Sequence, residues 1–278
     1  MALFQGNIFA RTLGYQTQVY VSLPNDGHRY AKDGPQKTLI LLHGISDNAS
    51  GWIRCGLADE IAETYNIAVV VPEGLKSFWL NMKYGGAYTD YLVGELPELM
   101  GNMFRIPTDR NSLMIAGLSM GGYGALHAAL SEPDRFFAAG SFSGVTDVQE
   151  FFSKAEELGK SSDCGVNFQQ EIKAVTGEKG IPDETDSLFY LAEHTEKTEL
   201  LPEIYMACGT EDILVHAQNL KFYDKLQVEK LQVTYEEWSG VHDWIFWRKA
   251  LRHFLNCTIG EPQEDNVFGG IPVYKRNR

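Results

Sequence analysis

Basic residues are scarce in this chain. Lys and Arg number 24 against 37 Asp and Glu, a formal charge of −13, and the one basic run is Lys275-Arg276-Asn277-Arg278. A field of that sign repels nucleic acid and anionic membranes, so neither is expected as a partner. Cysteine is sparse as well. Cys55, Cys164, Cys208 and Cys257 are widely spaced and form no Cys-x-x-Cys pair, which argues against a metal knuckle or a redox motif; they read as free thiols in a cytoplasmic protein. No apolar run reaches transmembrane length, and Met1 to Val21 lacks the basic-then-apolar order of a secretory signal. Repeats and low-complexity segments are missing too. What is present is a chain of 278 residues, 44% hydrophobic, long enough for a sizeable core in one α/β domain spanning residues 1–278.

The most informative stretch is Leu113 to Gly124. Leu113 to Ala116 reads as a buried strand, and Tyr123 to Leu130 is rich in helix-favouring Ala and Leu, so Gly117 to Gly122 must bend between them. Ser119 sits on that bend, in a Gly-x-Ser-x-Gly arrangement. A serine there needs a small residue two positions before and two after, because the flanking backbones pass too close for a Cβ; Gly117 and Gly121 meet the requirement. The pentapeptide by itself also occurs in loops. The strand before it and the helix after it make it a nucleophile elbow.

Along the rest of the chain, apolar strands alternate with helices. Strands are expected at Thr17 to Leu23, Thr38 to Leu42, Ile67 to Val71, Phe136 to Phe142, Glu203 to Cys208 and Gln232 to Trp238. Helices are expected at Leu57 to Tyr65, Tyr91 to Phe104, Ala217 to Val228 and Asp243 to Leu255. The alternation predicts a mostly parallel central sheet with helices on both faces and right-handed connections. Residues 147–198 mix short helical pieces with glycines and are read as a small cap insertion over the active-site edge. Residues 258–278 show no period and read as an irregular tail. In the last helix Trp244, Trp247, Leu251 and Phe254 share one face, a pattern assigned to core packing.

A serine at its free pKa is a poor nucleophile and needs a base, which in turn needs an orienting acid. In an elbow fold these follow in chain order, each after a later strand. Asp212 follows the strand ending at Cys208, and His242 follows the strand ending at Trp238. Asp147, after the strand ending near Phe142, is the rival acid, although the Gly209 turn favours Asp212. The oxyanion would be held by the backbone N–H groups of Met120 and of Ile45, the latter in the His43-Gly44-Ile45 loop, which could equally be an ordinary strand-to-helix turn. No acid is suggested near His43, so it reads as a packed group and not a base. Aromatic residues crowd Phe78 to Tyr91 beyond a strand end, where α/β sheets bind ligands; they could wall a pocket or cap the core. His43, Trp52, Trp79 and Tyr84 are the substrate-binding candidates. No metal or organic cofactor is called for.

Taken together, Leu-Leu-His-Gly-Ile-Ser (41 to 46) with Trp52, Ala-Gly-Leu-Ser-Met-Gly-Gly-Tyr-Gly (116 to 124), Ser-Phe-Ser-Gly (141 to 144), Cys-Gly-Thr-Glu-Asp-Ile-Leu (208 to 214) and Gly-Val-His-Asp-Trp (240 to 244) resemble the esterase D group of α/β-hydrolases. Within that group the closest likeness is to bacterial tributyrin-esterase-like enzymes. It runs from about Thr17 to Leu255, leaving the cap and the tail unmatched. The resemblance implies an α/β-hydrolase fold and an intracellular serine carboxylesterase acting on short acyl esters, and the leading expectation is the removal of acetyl or other short acyl groups from small esters, with acetylated sugars as candidates. It also implies the same triad, Ser119, Asp212 and His242, and the same donors. A feruloyl-type esterase, a thioesterase of the S-formylglutathione class and a non-catalytic binding module are the alternatives. The tail and the surplus aromatics leave room for a homo-oligomer.

Overall fold

The computed structural model describes residues 1–25, 34–161, 168–195 and 200–262. Eight strands form one sheet in the order β1-β2-β4-β3-β5-β6-β7-β8. They are β1 (Ala2–Ala10), β2 (Tyr15–Leu23), β3 (Lys37–Leu42), β4 (Ile67–Pro72), β5 (Leu113–Leu118), β6 (Ala138–Phe142), β7 (Glu203–Gly209) and β8 (Val233–Trp238). From β4 to β8 the neighbours run parallel, while β2 pairs antiparallel with both β1 and β4. The mostly parallel sheet is therefore as expected, and the β1–β2 hairpin at its edge is an addition. Nothing in Ala2–Ala10 flagged a strand, because five consecutive positions of β1 are exposed and its apolar residues follow no simple alternation.

The central strands are apolar on both faces because both faces are covered. Along β3, Leu39 and Leu41 point into one core, with Val69, Val71 and Met114 of the adjacent strands; Ile40 and Leu42 point into the other, with Val70 and Ile115. The first core is closed by α2 (Ala58–Tyr65), through Ile61 and Ala62, and by the C-terminal helix, which contributes Phe246, Leu251 and Phe254. The second is closed by α3 (Leu96–Phe104), α4 (Met120–Ser131) and a later helix bearing Phe222 and Leu226. A short α1 (Gly51–Arg54) precedes α2, and a π-helical turn, Tyr91–Glu95, leads into α3. Both aromatics of that turn's approach, Tyr88 and Tyr91, are fully buried.

Residues 147–198 are the stretch read as a small cap insertion. Three helices form there, α5 (Val148–Ser161), α6 (Phe168–Thr176) and α7 (Leu188–His194), followed after β7 by α8 (His216–Val228) and after β8 by α9 (Trp244–Ile259). α7 packs on α4 and α8 at the flank of the sheet, and α6 packs on α5. The backbone of α6 also accepts hydrogen bonds from the loop after β4, Lys83 N–H to Val175 O and Tyr84 N–H to Ala174 O, both at 2.9 Å. Beyond the sheet's C-terminal edge, Phe151 and Phe152 of α5 and Ile172 and Val175 of α6 lie beside Ile45 of the loop after β3 and Phe78 of the loop after β4. The expected tail from 258 begins inside α9, which runs to Ile259; its part beyond 262, like Cys164, lies outside the described residues. Among the described residues no helix is long and apolar enough to cross a membrane.

Candidate active site

The elbow is built from close contacts. A Cβ on Gly117 would lie 2.5 Å from the Gly121 backbone, and one on Gly121 would lie 2.3 Å from Leu42 O. With neither present, the start of α4 drops onto the ends of β3 and β5, and Ser119 between them takes φ 53°, ψ −118°. A non-glycine residue at such a φ costs about 1–3 kcal/mol, which the surrounding contacts must hold. The strained turn lifts the Ser119 side chain, part exposed, out of an otherwise buried segment.

A cleft of about 540 Å³ opens above it, lined by Ser119 and His242 together with Gly44, Ile45, Phe151, Leu214, Trp244 and Trp247 among others. His242 stands on the loop after β8, and its Nδ1 lies 2.7 Å from Asp212 Oδ2. The other Asp212 oxygen accepts from the Leu214 and Val215 amides at 3.2 and 3.3 Å. Burial pushes the Asp212 carboxyl up, but the His242 ring and the Leu214 amide outweigh it and hold the group below its ordinary value. Asp212 is thus a buried carboxylate facing an imidazole. Asp147, the rival, is turned elsewhere: its Oδ1 accepts the Glu150 amide at 2.9 Å and caps α5. Glu211 binds the Gly240 amide at 2.6 Å, and Asp243 caps α9 through the Phe246 amide at 3.0 Å.

Ile45 follows β3 across the cleft from His242. Among the described residues neither its amide nor that of Met120, the first residue of α4, has an acceptor within the chain. The Gly44 carbonyl accepts from His43 Nδ1–H at 2.8 Å and from the Asp47 amide at 3.1 Å. His43 Nε2 in turn accepts from the Gly74 amide at 3.0 Å, and an acid does stand near it, contrary to expectation: Glu73 Oε1 is 3.1 Å away. Glu73 also accepts from the Ala49 and Leu75 amides, at 3.1 and 2.9 Å. Burial raises its pKa, while His43 and these amides bring it below the ordinary carboxylate range.

The four substrate-binding candidates lie outside the cleft. His43, Trp52 and Trp79 are buried, and Tyr84 is exposed on the loop paired with α6. The two indoles have another use: Trp52 Nε1–H donates to Leu42 O at 2.9 Å and Trp79 Nε1–H to His43 O at 3.3 Å. They brace the backbone entering the Gly44-Ile45 loop without lining the cleft, although Trp52 packs edge-on at 5.1 Å against Trp244, which does line it. Trp244 and Trp247 pack in the core as expected, and they also wall the cleft, a second role that sequence reasoning missed. They start α9, where the helix emerges from beneath the sheet edge, and Trp247 meets the His242 ring edge-on at 5.0 Å. Their place directly after His242 was the available signal. Phe151 and Leu214 carried none. Among the described residues no cluster of three or more His, Cys, Asp or Glu side chains could hold a metal ion.

A hydroxyl, an imidazole and a buried carboxylate gathered at one cleft, with two free amides opposite, have the parts needed for nucleophilic acyl transfer. The family model described as putative esterase matches residues 10–256. An acetyl esterase of Caldicellulosiruptor saccharolyticus is 31% identical over 257 residues, covering 90% of this chain and 96% of that protein. Among solved structures, the fluorophosphonate-binding serine hydrolase FphF of Staphylococcus aureus superposes with a TM-score of 0.79 at 28% identity, covering 94% of this chain and 99% of its own. The S-formylglutathione hydrolase FrmB of the same organism gives 0.75 at 27%, covering 93% and 98%. The fold is that of the α/β-hydrolase serine enzymes.

Proposed function

The chain belongs to the putative esterase family, and from that premise we propose that this carboxylic ester hydrolase is a serine esterase cleaving short-chain acyl esters, acetyl to butyryl, of small molecules. The observation that carries the reading is the shared cleft of Ser119 and His242, with Asp212 2.7 Å behind the imidazole. His242 takes the Ser119 proton as the oxygen attacks the ester carbonyl. The oxyanion sits on the Met120 and Ile45 amides, and His242 hands its proton to the departing alkoxide. Water, activated by the same imidazole, then releases the acid from the acyl-enzyme. Asp212 keeps Nδ1 protonated and stabilises the transient imidazolium.

Likeness to the acetyl esterase supports acetyl groups as substrates, including those on sugars, for which the half-buried Trp244 offers an aromatic surface in the cleft. Likeness to FrmB supports a second reading, thioester hydrolysis of S-formylglutathione by the same residues. Steady-state kinetics on p-nitrophenyl acetate, butyrate and octanoate, and on S-formylglutathione, separate the two. Ser119→Ala is expected to lower kcat by about 10⁴-fold or more on whichever is the substrate. Equal rates for variant and wild type would remove the serine nucleophile from consideration.

A further inference from the structure

Two residues of the cleft wall, Ile45 and Phe151, have a second hollow behind them. That hollow is bounded by Phe78, Phe152, Ile172 and Val175 as well, and its volume is about 10 Å³, room for roughly one water molecule. Its lining is almost wholly apolar. Its outer end is closed by the Lys76–Glu171 ion pair at 3.1 Å, which ties the loop after β4 to α6. Phe151 stands in an aromatic cluster, 5.6 Å from Phe78 and 6.3 Å from Phe152 between ring centres. The ring thus separates a large cleft from a nearly filled apolar space.

The chemistry decides which part of an ester meets this wall. In the tetrahedral intermediate the reacting carbon carries the serine oxygen, the oxyanion, the leaving oxygen and the acyl substituent. The leaving oxygen must receive its proton from His242 and so lies on the His242, Trp244 and Trp247 side. The oxyanion points at the Ile45 and Met120 amides. The remaining direction, away from His242 and past the Ile45 side, belongs to the acyl chain, and Phe151 lies there.

Resting on the serine-esterase reading above, we propose that Phe151 is the stop that sets acyl-chain length. The chain is confined to the cleft by the Phe151 ring, and the apolar hollow behind is the space into which a longer chain extends once that ring is cut back. Each methylene newly removed from water strengthens binding by about fourfold, so two or three entering the hollow shift specificity by more than tenfold.

The test is the kcat/KM profile for p-nitrophenyl acetate, butyrate, hexanoate and octanoate, taken for wild type, Phe151→Ala and Phe151→Trp, with thermal melts on each. The octanoate-to-acetate ratio is expected to rise at least tenfold in Phe151→Ala, and the butyrate-to-acetate ratio to fall in Phe151→Trp. If Phe151→Ala does not give a cooperative melt, Phe151→Leu replaces it, and a rise of at least threefold is then required. An octanoate-to-acetate ratio that rises less than tenfold in an active Phe151→Ala, or less than threefold in an active Phe151→Leu, or a butyrate-to-acetate ratio that does not fall in an active Phe151→Trp, overturns the stop and leaves the esterase reading standing. A wild type with no activity on any of these esters, or one matched by Ser119→Ala, overturns that reading and the stop with it.

Discussion

Two aspartates compete for one role, and their hydrogen bonds set them apart. Asp212 spends one oxygen on the Leu214 and Val215 amides and the other on His242, whereas Asp147 caps α5. Asp212→Asn is expected to lower kcat about 10³–10⁴-fold, since an amide in that place favours the wrong imidazole tautomer. Asp147→Asn, with Asn as good a cap, is expected to change kcat less than about threefold. Ester hydrolysis by the two purified variants reads this directly, and a larger loss in Asp147→Asn would reverse the assignment. The candidate residues Ser119, Asp212 and His242 were legible because each stands just past a strand end, in an order the backbone imposes. Trp52, Trp79, Trp244 and Trp247 were not. Whether an indole meets solvent or a carbonyl depends on what the fold lays over it, and nothing local to Trp52 or Trp244 encodes that.

Elements tell a similar story one level up. The strands β3 to β7 and helices α2, α4, α8 and α9 were legible because each carries an apolar period or an unbroken apolar run that only a buried position tolerates. β1 was not, since an edge strand needs to bury only a few positions, here Ile8 and Ala10. The helices of 147–198 lost their signal for a different reason: α7 is held by α4 and α8, distant in sequence, and not by a face of its own design. The elbow is the element most sensitive to a single methyl. Gly121→Ala would place its Cβ on Leu42 O at 2.3 Å, forcing α4 away from β3 and dragging Ser119 with it. Activity is expected to fall at least about 10²-fold, because a displacement near 1 Å suffices for that loss, and the melting temperature is expected to fall too. A variant with wild-type kinetics would show that the elbow is looser than its contacts imply.

For the molecule as a whole, the buried titratable groups govern how stability varies with acidity. His127, on α4 and enclosed beside Tyr123, is pushed down to about 4 by burial, against the opposing effect of a hydrogen bond with the Thr185 backbone. The unfolded chain therefore binds a proton near pH 6.5 that the folded chain refuses until about pH 4. Stability is full above the unfolded value and falls as the pH drops through that window, by about 2–3 kcal/mol at pH 4.5. Asp212 and Glu73, both depressed, add their losses only lower down, as the pH falls below ordinary carboxylate values. Urea unfolding at pH 7 and pH 4.5 is expected to show this decrement in wild type and a smaller one in His127→Gln. Equal decrements would mean that His127 is not the group responsible.

The loop after β3 contains one planar unit with two ends. The Gly44 carbonyl is at one and the Ile45 N–H at the other, and a peptide plane cannot turn one without the other. His43 and Asp47 grip the carbonyl end from behind, and Trp52 and Trp79 pin the two carbonyls before it. A half-turn of that plane would present an oxygen to the cleft in place of a proton, changing its polarity at that point from anion-attracting to anion-repelling. Three side chains that do not line the cleft, His43, Trp52 and Trp79, thereby determine, together with the Asp47 amide, which sign of charge the cleft offers beside Ser119.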